Sequence, residues 1–247
     1  MLVKSKFIST IAGLGIILAF QGCGQKTKFA EAPASSQATE TQKSNTSMAA
    51  ETSKTAETAP AKVVNPGAKV PTSGGSFKVF NVSTDANSPD NHFVPSGWMG
   101  DYGDIQFNDK YLVNPHSGST SIQVAYNSKA SQGARWSGIY WQNPPNNWGT
   151  RPGGYDLTGA TKLTFWARGE KGGERIEEFK LGGITGEYAD SDVAGIGPVV
   201  LTTEWQKFTI DLEGKDLSSI SGGFCWATNL DVNPEGATFY LDDIRYE

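Results

Sequence analysis

The sequence has little of what catalytic centres are usually built from. Its 247 residues include only two histidines. His92 and His116 both lie in loop-like sequence with no nucleophile motif near them, so a Ser–His–Asp triad is not expected. A glycosidase needs two carboxylates that flank one bond, and the adjacent Glu177 and Glu178 would point to opposite faces of a strand. The sequence therefore predicts a protein that is not an enzyme.

Positive charge and helical periodicity are also scarce. The formal net charge is −5 at pH 7 and lysine and arginine form no cluster, so nucleic acid is not an expected partner. No stretch has the periodicity of a long helix. The chain is 37% hydrophobic and contains 29 glycines and 12 prolines. This composition suits one β-rich domain joined to unstructured sequence better than two packed domains.

Residues 1–22 have the composition of an export signal. Two lysines form a charged start, and residues 8–20 form a largely apolar segment too short to span a bilayer comfortably. The phrase FQGC at residues 20–23 resembles a bacterial lipobox, in which the cysteine is lipid-modified and becomes the first residue of the mature protein. The resemblance implies a lipoprotein signal peptide over residues 1–22 and lipidation of Cys23. An ordinary secretory signal and an uncleaved anchor are the alternatives.

A lipid on Cys23 has consequences for the remaining thiol and for location. Cys225 would then be the one free thiol, so the chain could form no internal disulfide. One thiol and two histidines are also too few for a structural zinc site, which takes four ligands. By resemblance to lipoprotein sorting in diderm bacteria, Gly24 after the lipidated cysteine indicates the outer membrane. The expected location is the bacterial cell envelope, with the chain anchored in that membrane.

Residues 23–75 are rich in Ala, Thr, Ser, Lys, Glu, Gln and Pro, and Phe29 is their only aromatic residue. Such sequence cannot bury enough apolar surface to offset the entropy of ordering it, so a disordered tether is predicted. About 50 residues of flexible chain have a root-mean-square reach of roughly 40 Å, which would hold a domain clear of the lipid headgroups. The folded domain is predicted to span residues 76–247.

Alternating apolar residues in this second part predict about eight short β-strands. Within residues 161–168, three apolar side chains fall on one face: Leu163, Phe165 and Ala167. Residues 205–212 alternate in the same way, and glycine or proline punctuates every connection. The glycine-rich residues 184–198 are expected to expose Asp190. The predicted fold class is all-β, an antiparallel two-sheet β-sandwich.

Four phrases stand out in the predicted domain. They are LTFWARG at residues 163–169, EFKLGG at 178–183, TEWQKFTIDL at 203–212 and FYLDDIR at 239–245. They resemble non-catalytic carbohydrate-binding modules of the jelly-roll, galactose-binding-like superfamily, and the likeness covers most of residues 76–247. The resemblance implies a jelly roll and a bound glycan. It also implies a structural Ca²⁺ with Asp242 of the final strand as a ligand. The alternative is that Asp242 is a solvated or hydrogen-bonded strand end.

Sugar rings have apolar C–H faces surrounded by hydroxyls, so a glycan site needs flat aromatic platforms beside hydrogen-bonding groups. One predicted strand carries three such residues on one face, the loop after it carries three more, and two later strands offer the rest. The predicted ligand-binding residues are Trp136, Tyr140, Gln142, Trp148, Arg151, Tyr155, Trp166, Arg168 and Glu178. The alternative is that most of these aromatic residues belong to the core.

Together these features predict a lipid-anchored bacterial β-sandwich that binds a polysaccharide or oligosaccharide without cleaving it. The expected partners are a glycan and, through Cys23, a membrane; the sequence names no protein partner. Two other classes stay open. One is a structural or adaptor lipoprotein whose sandwich binds another protein. The other is a glycan-active enzyme whose carboxylate pair comes from distant strands.

Overall fold

The computed structural model describes residues 77–247 and, before them, the two-residue strand Ala68–Lys69. They belong to one compact unit, Glu57–Glu247; a separate unit, Met1–Ala56, lies outside the described residues. Among the described residues, no helix is long and apolar enough to cross a membrane.

Several predictions for the N-terminal part fall outside the described residues. These are the signal peptide over residues 1–22, the lipid on Cys23 and nearly all of the tether over residues 23–75. They stay predictions. Within the range of the predicted tether, Ala68–Lys69 pair in parallel with the strand that begins at Tyr155.

The described residues contain fifteen β-strands and one short 3-10 turn, Tyr102–Asp104. In chain order the strands are β1 Ala68–Lys69, β2 Phe80–Ser83, β3 Val94–Gly100, β4 Ile105–Tyr111, β5 Ser121–Tyr126, β6 Trp136–Gln142, β7 Tyr155–Asp156, β8 Lys162–Gly169, β9 Arg175–Ile176, β10 Glu178–Gly182, β11 Val193–Ile196, β12 Val199–Val200, β13 Gln206–Asp211, β14 Gly222–Asn229 and β15 Ala237–Tyr246. Their shortness follows from the frequent glycine and proline punctuation of the sequence.

Two antiparallel sheets form the body of the domain. The first has five strands in the order β11-β10-β14-β6-β3, and we call it the front sheet. The second has the order β13-β8-β15-β5-β4, with β2 paired to the end of β15, and we call it the back sheet. Several connections cross from one sheet to the other, as when the chain passes from β5 in the back sheet to β6 in the front sheet. The prediction of an antiparallel jelly-roll sandwich is confirmed.

Aromatic side chains from both sheets fill the space between them. The Phe165 ring of β8 lies 4.7 Å from that of Phe179 in β10, 5.1 Å from that of Phe224 in β14 and 5.5 Å from that of Phe208 in β13, between ring centroids. The predicted inward face of β8 is fully buried throughout. Because alternate residues of a strand point to opposite sides, the burial of these residues assigns their neighbours to the outer faces.

Candidate functional site

The outer face of the front sheet gathers polar and aromatic side chains. In β6, Ile139 and Trp141 point into the core, so Trp136, Tyr140 and Gln142 point away from it. The same alternation turns Glu178 and Lys180 of β10 outward, because Phe179 and Leu181 are in the core. Register then aligns Tyr140 of β6, Cys225 of β14 and Lys180 of β10 in one row across three strands.

Two tryptophans on this side are unusually open to solvent. Trp136 is 40% exposed and Trp148, in the loop after β6, is 41% exposed. The Trp148 ring meets the Tyr140 ring edge to face, with centroids 5.8 Å apart and planes at 87°. Because Tyr140 is only 5% exposed, it supports Trp148 from below. We call this surface, made by Trp136, Tyr140, Trp148, Glu178 and Lys180, the aromatic face.

The polar groups of the aromatic face are held in place. Lys180 Nζ lies 2.8 Å from Glu178 Oε2 and 5.7 Å from the Tyr140 ring centroid. The Tyr140 hydroxyl donates to the carbonyl of Gly182 at 3.0 Å. Burial raises the pKa of Tyr140 far above its usual value, so the phenol stays neutral. The arrangement offers an ammonium, a carboxylate and exposed indole rings on one outer sheet face, which matches the mixed polar and apolar surface of a sugar.

Gln142 and Arg151 shape the loop that carries Trp148. Gln142 is fully buried; its Nε2 donates to the carbonyl of Asn147 and its Oε1 accepts from Ser96 Oγ, both at 3.0 Å. The expectation that Gln142 contacts a glycan directly is therefore corrected, because both ends of its amide are engaged inside the protein. Arg151 is exposed, and its guanidinium donates to the carbonyl of Pro145 in the same loop.

Tyr155 does not join the aromatic face. Its ring lies 4.9 Å from that of Phe80 and 5.2 Å from that of Phe93, between centroids. Its hydroxyl donates to the carbonyl of His92 at 3.2 Å and accepts from Asn143 Nδ2 at 3.0 Å. The expectation that it lines the ligand surface is corrected, since these contacts hold it against core residues at the end of the sandwich.

Trp166 and Arg168 lie on the back sheet, on the opposite side of the molecule from the aromatic face. Trp166 stacks on the imidazole of His116, with centroids 3.7 Å apart and planes at 17°. The Arg168 guanidinium lies 3.7 Å from the Tyr240 ring centroid and 5.2 Å from that of Trp205. The expectation that they share a surface with Trp136 is corrected, because β8 pairs with β13 and β15 and not with a strand of the front sheet.

The surroundings of Asp242 do not fit the calcium ion that the resemblance implies. Asp242 Oδ2 accepts from the backbone N–H of His116 at 2.9 Å and of Ser117 at 3.2 Å, and Oδ1 accepts from the N–H of Asp243 at 2.8 Å. Asp243, in turn, lies 2.9 Å from His116 Nδ1 and 2.8 Å from Arg245 Nη2. Calcium requires six to eight oxygen ligands, whereas these oxygens face N–H donors. A calcium ion at Asp242 stays a prediction from the resemblance alone.

The sequence gives no indication of the role of Asp190. The residue is expected to be exposed, yet only 8% of its surface is accessible to solvent. Its carboxylate accepts the backbone N–H of Ile184 at 3.0 Å and those of Ser221 and Gly222. Burial raises the pKa of Asp190 to about 6. Asp190 thus ties the loop after β10 to the start of β14, next to Tyr140, and its position in a glycine-rich loop gives no periodic signal for this.

Comparison with known proteins finds neighbours in structure but none in sequence. No protein-family model and no curated protein matches the chain. A family 30 carbohydrate-binding module from a cellulosomal cellulase of Clostridium thermocellum is 17% identical, with 69% of this chain and 97% of that chain covered and a TM-score of 0.47.

Two further solved structures give a similar picture. A family 11 carbohydrate-binding module from Clostridium thermocellum, in complex with a β-1,3-1,4-mixed-linked tetrasaccharide, is 12% identical, with 70% of this chain and 96% of that chain covered and a TM-score of 0.44. A family 29 carbohydrate-binding module is 9% identical, with 69% and 91% covered and a TM-score of 0.40. Likenesses this distant transfer no ligand to the present chain.

Proposed function

We propose that the aromatic face binds a polysaccharide or oligosaccharide without cleaving it. The observation that carries the proposal is the exposure of Trp136 and Trp148, at 40% and 41%, in a protein whose Trp141 and Trp226 are fully buried. Indole rings left in water expose large apolar areas, and the C–H face of a sugar covers such a ring well. Lys180 and Glu178 beside them offer donors and acceptors for the sugar hydroxyls.

The spacing of the two indoles favours an extended ligand. Trp136 and Tyr140 are four residues apart in β6, which corresponds to about 13 Å along the strand. Trp148 lies next to Tyr140, so the two exposed indoles mark opposite ends of the strand. A ligand that covers both must be longer than one sugar ring. A chain of several sugars running along β6 meets this requirement.

The charged groups of this surface support binding without hydrolysis. Glycosidic hydrolysis needs two carboxylates that face each other across the bond. The Glu178 carboxylate is paired with Lys180 at 2.8 Å. The sequence-based expectation that Glu177 and Glu178 point to opposite faces of a strand is corrected, because Glu177 lies in the bend between β9 and β10 and both line one depression. Arg175 Nε donates to the Glu177 carboxylate at 2.7 Å, so each of the two carboxylates is paired with its own cation.

Binding to soluble polysaccharides tests the proposal. The full-length chain is screened by affinity electrophoresis, and the retained polysaccharide is then titrated calorimetrically. Trp136→Ala and Trp148→Ala are each expected to weaken binding about tenfold or more, since stacking and its buried area are lost. Trp98→Ala is the matched control: Trp98 is 38% exposed, but it lies on the inner side of β3 against Phe107. Retention of no polysaccharide, or equal weakening by Trp98→Ala, would refute the proposal.

We also propose that the chain is a lipoprotein of the bacterial envelope, anchored in the outer membrane through a lipid on Cys23. The support is the FQGC phrase after an apolar segment that follows two lysines. Metabolic labelling with a fatty-acid analogue, followed by membrane fractionation, tests it. The wild-type chain is expected in the outer-membrane fraction with label, and Cys23→Ser without label. Labelling that persists in Cys23→Ser would contradict the proposal.

A further inference from the structure

The loop after β6 and the loop after β10 contact each other beside the aromatic face. We call residues 143–154, which carry Trp148, the indole loop, and residues 183–192, between β10 and β11, the glycine loop. The backbone N–H of Tyr188 in the glycine loop donates to the carbonyl of Gly149 in the indole loop at 2.9 Å. Because Gly149 directly follows Trp148 in the chain, this contact holds the backbone that carries the indole.

Glycine allows the two loops to approach closely. At Gly149, where φ is +77°, a Cβ would lie 2.1 Å from the carbonyl oxygen of Thr185. At Gly186, where φ is +127°, a Cβ would lie 2.7 Å from the carbonyl oxygen of Gly149. A side chain at either position would therefore collide with backbone, and these φ values also disfavour it. The two loops meet backbone to backbone, so a movement of the glycine loop also moves Gly149.

The glycine loop is closed by Asp190. Its backbone N–H donates to the carbonyl of Ile184 at 2.9 Å, and its Oδ2 accepts the N–H of Ile184 at 3.0 Å, so the two residues form a ring. Its Oδ1 accepts the N–H groups of Ser221 and Gly222, where β14 begins. Residues 185–188, which include the contacts to the indole loop, lie inside this ring. The carboxylate thus joins the ring to the front sheet.

The Asp190 carboxylate is held by backbone N–H groups and by no cation among the described residues. The titratable groups that face it are Tyr140 of β6 and Tyr246 of β15. Burial raises the pKa of both phenols, so both stay neutral. Asp192, in the same loop, lies 3.3 Å from Lys215 Nζ and has its own cation. A change in the charge of Asp190 therefore acts on the loop that it closes.

We infer that Asp190 is a positioning residue for the aromatic face: by closing the glycine loop and joining it to β14, it holds Trp148 where the ligand binds. It does not contact the ligand, since its carboxylate accepts three backbone N–H groups inside the protein. Its effect on affinity rests on the proposed binding of a polysaccharide, whereas its effect on Trp148 does not. A platform that is ordered in advance binds more tightly, because less entropy is lost when the ligand arrives.

The indole N–H resonance of Trp148 tests this inference without a ligand. It is observed in proton–nitrogen correlation spectra of the full-length chain and identified by its loss in Trp148→Phe. Asp190→Asn is expected to shift or broaden it, because an amide offers one acceptor oxygen where the carboxylate offers two, and its NH₂ group faces an N–H donor. The resonance of Trp98, which packs against Phe107, should not change.

Asp85→Asn is the matched control for this substitution. Asp85 also joins two segments through backbone N–H groups, those of Ser119 and Thr120, both at 2.7 Å. These segments follow β2 and precede β5, which belong to the back sheet. The control variant should therefore leave the Trp148 resonance unchanged. The thermal midpoint of each variant confirms that it is folded.

The wild-type chain offers a test that needs no substitution. Burial raises the pKa of Asp190 to about 6, so the Trp148 resonance is expected to move with a midpoint near that pH as the charge changes. The movement should be absent from Asp190→Asn and present in Asp85→Asn. If it persists with the same midpoint in Asp190→Asn, another group causes it and the inference is wrong.

Calorimetric titration with the polysaccharide retained by the wild type tests the effect on affinity. Asp190→Asn is expected to weaken binding about fivefold, less than Trp148→Ala does. The double variant should bind as Trp148→Ala alone does, because Asp190 acts through Trp148. Gly186→Ala leaves Asp190 in place but forces the loops apart, so it should weaken binding in the same way. Asp85→Asn should bind as the wild type does.

The two measurements separate failure of this inference from failure of the proposed function. If Trp148→Ala binds as the wild type does, the proposed function fails, and the Trp148 resonance still decides whether Asp190 positions the indole. If Trp148→Ala weakens binding but Asp190→Asn does not, or if the two losses add, Asp190 is not a positioning residue. An unchanged Trp148 resonance in folded Asp190→Asn would overturn the inference whatever the ligand is. So would a wild-type resonance that stays fixed from about pH 4.5 to about 7.5.

Discussion

The two sheets of the sandwich present aromatic residues in opposite ways. On the front sheet, Trp136 and Trp148 keep about two-fifths of their surface in water. On the back sheet, Trp166 is covered by His116, and Trp205 and Tyr240 lie on either side of Arg168. The same residue types thus form an open surface on one sheet and a closed cluster on the other. An aromatic residue on an outer strand position indicates a ligand surface only when no neighbouring side chain already covers it.

The outer faces of both sheets are supported by the same hydrophobic core. Phe165 lies at its centre, in contact with Phe179 and Phe224 of the front sheet. Phe165→Ala is expected to lower the free energy of unfolding by about 3–5 kcal/mol, since the cavity cannot be refilled from either sheet. Denaturant unfolding measures this. Trp148→Ala should change it by less than about 1 kcal/mol. Similar losses in the two variants would contradict the division into core and face.

The next largest expected effect is a pH dependence of stability, to which each sheet contributes one buried carboxyl group. Burial raises the pKa of Asp190, behind the aromatic face, to about 6, above the value near 3.9 of an unfolded chain. Between these values the folded state holds more protons than the unfolded state, so stability falls as pH rises from about 4 to 6. The free energy of unfolding is expected to be lower at pH 7 than at pH 4.5 by about 1–3 kcal/mol.

Urea unfolding of Asp190→Asn at both pH values checks this. The pH dependence of the unfolding free energy should be smaller in this variant but should not vanish. Burial also raises the pKa of Asp242, on the back sheet, to about 6, and this contribution remains. Hydrogen bonds from Ser119 and Thr120 lower the pKa of Asp85, so its effect falls below this pH range. A dependence in Asp190→Asn equal to that of the wild type would show that Asp190 does not contribute.

A smaller effect is expected from the closed cluster of the back sheet. Arg168→Met keeps the apolar stem but removes the charge between Trp205 and Tyr240, so a loss of about 1 kcal/mol in unfolding free energy is expected. Binding of polysaccharide at the aromatic face should not change, because Arg168 lies on the other sheet. Calorimetric titration with the same polysaccharide checks this. Weakening as large as that in Trp148→Ala would mean that the two sheets serve one site.

Much of the fold could be predicted from the sequence because strand alternation is a local signal. The apolar face of β8 was readable as Leu163 and Phe165 in alternation, and both are fully buried. What alternation cannot supply is the sheet to which a strand belongs. Strands β8 and β10 lie close together in the sequence, with only the two-residue β9 between them, but they belong to different sheets. For this reason Trp166 and Glu178, expected on one surface, lie on opposite sides of the molecule.

The site was less predictable because it depends on what covers each side chain. Trp136 and Gln142 share one face of β6, yet the first is 40% exposed and the second is fully buried beneath its own loop. Asp190 gave no periodic signal, since it lies in a loop and its carboxylate accepts hydrogen bonds from Ser221 and Gly222, which are distant in sequence. Periodicity predicts the side of the sheet to which a side chain points. Whether that side chain can contact a ligand also depends on the loops that cover the sheet.

The smallest expected effect comes from two adjacent glutamates that have different ion-pair partners. Glu178 pairs with Lys180 of the aromatic face, and Glu177, in the bend before β10, pairs with Arg175 of β9. Glu178→Gln and Glu177→Gln should each change the unfolding free energy by less than about 1 kcal/mol, because exposed ion pairs contribute little. Only Glu178→Gln should weaken polysaccharide binding, about threefold, since a charged acceptor is lost. The two variants remove the same charge from adjacent positions and differ in the cation that is left unpaired, Lys180 or Arg175. If the two variants bind the polysaccharide with equal affinity in parallel titrations, Glu178 does not contact the ligand, and the exposed indoles alone account for binding at the aromatic face.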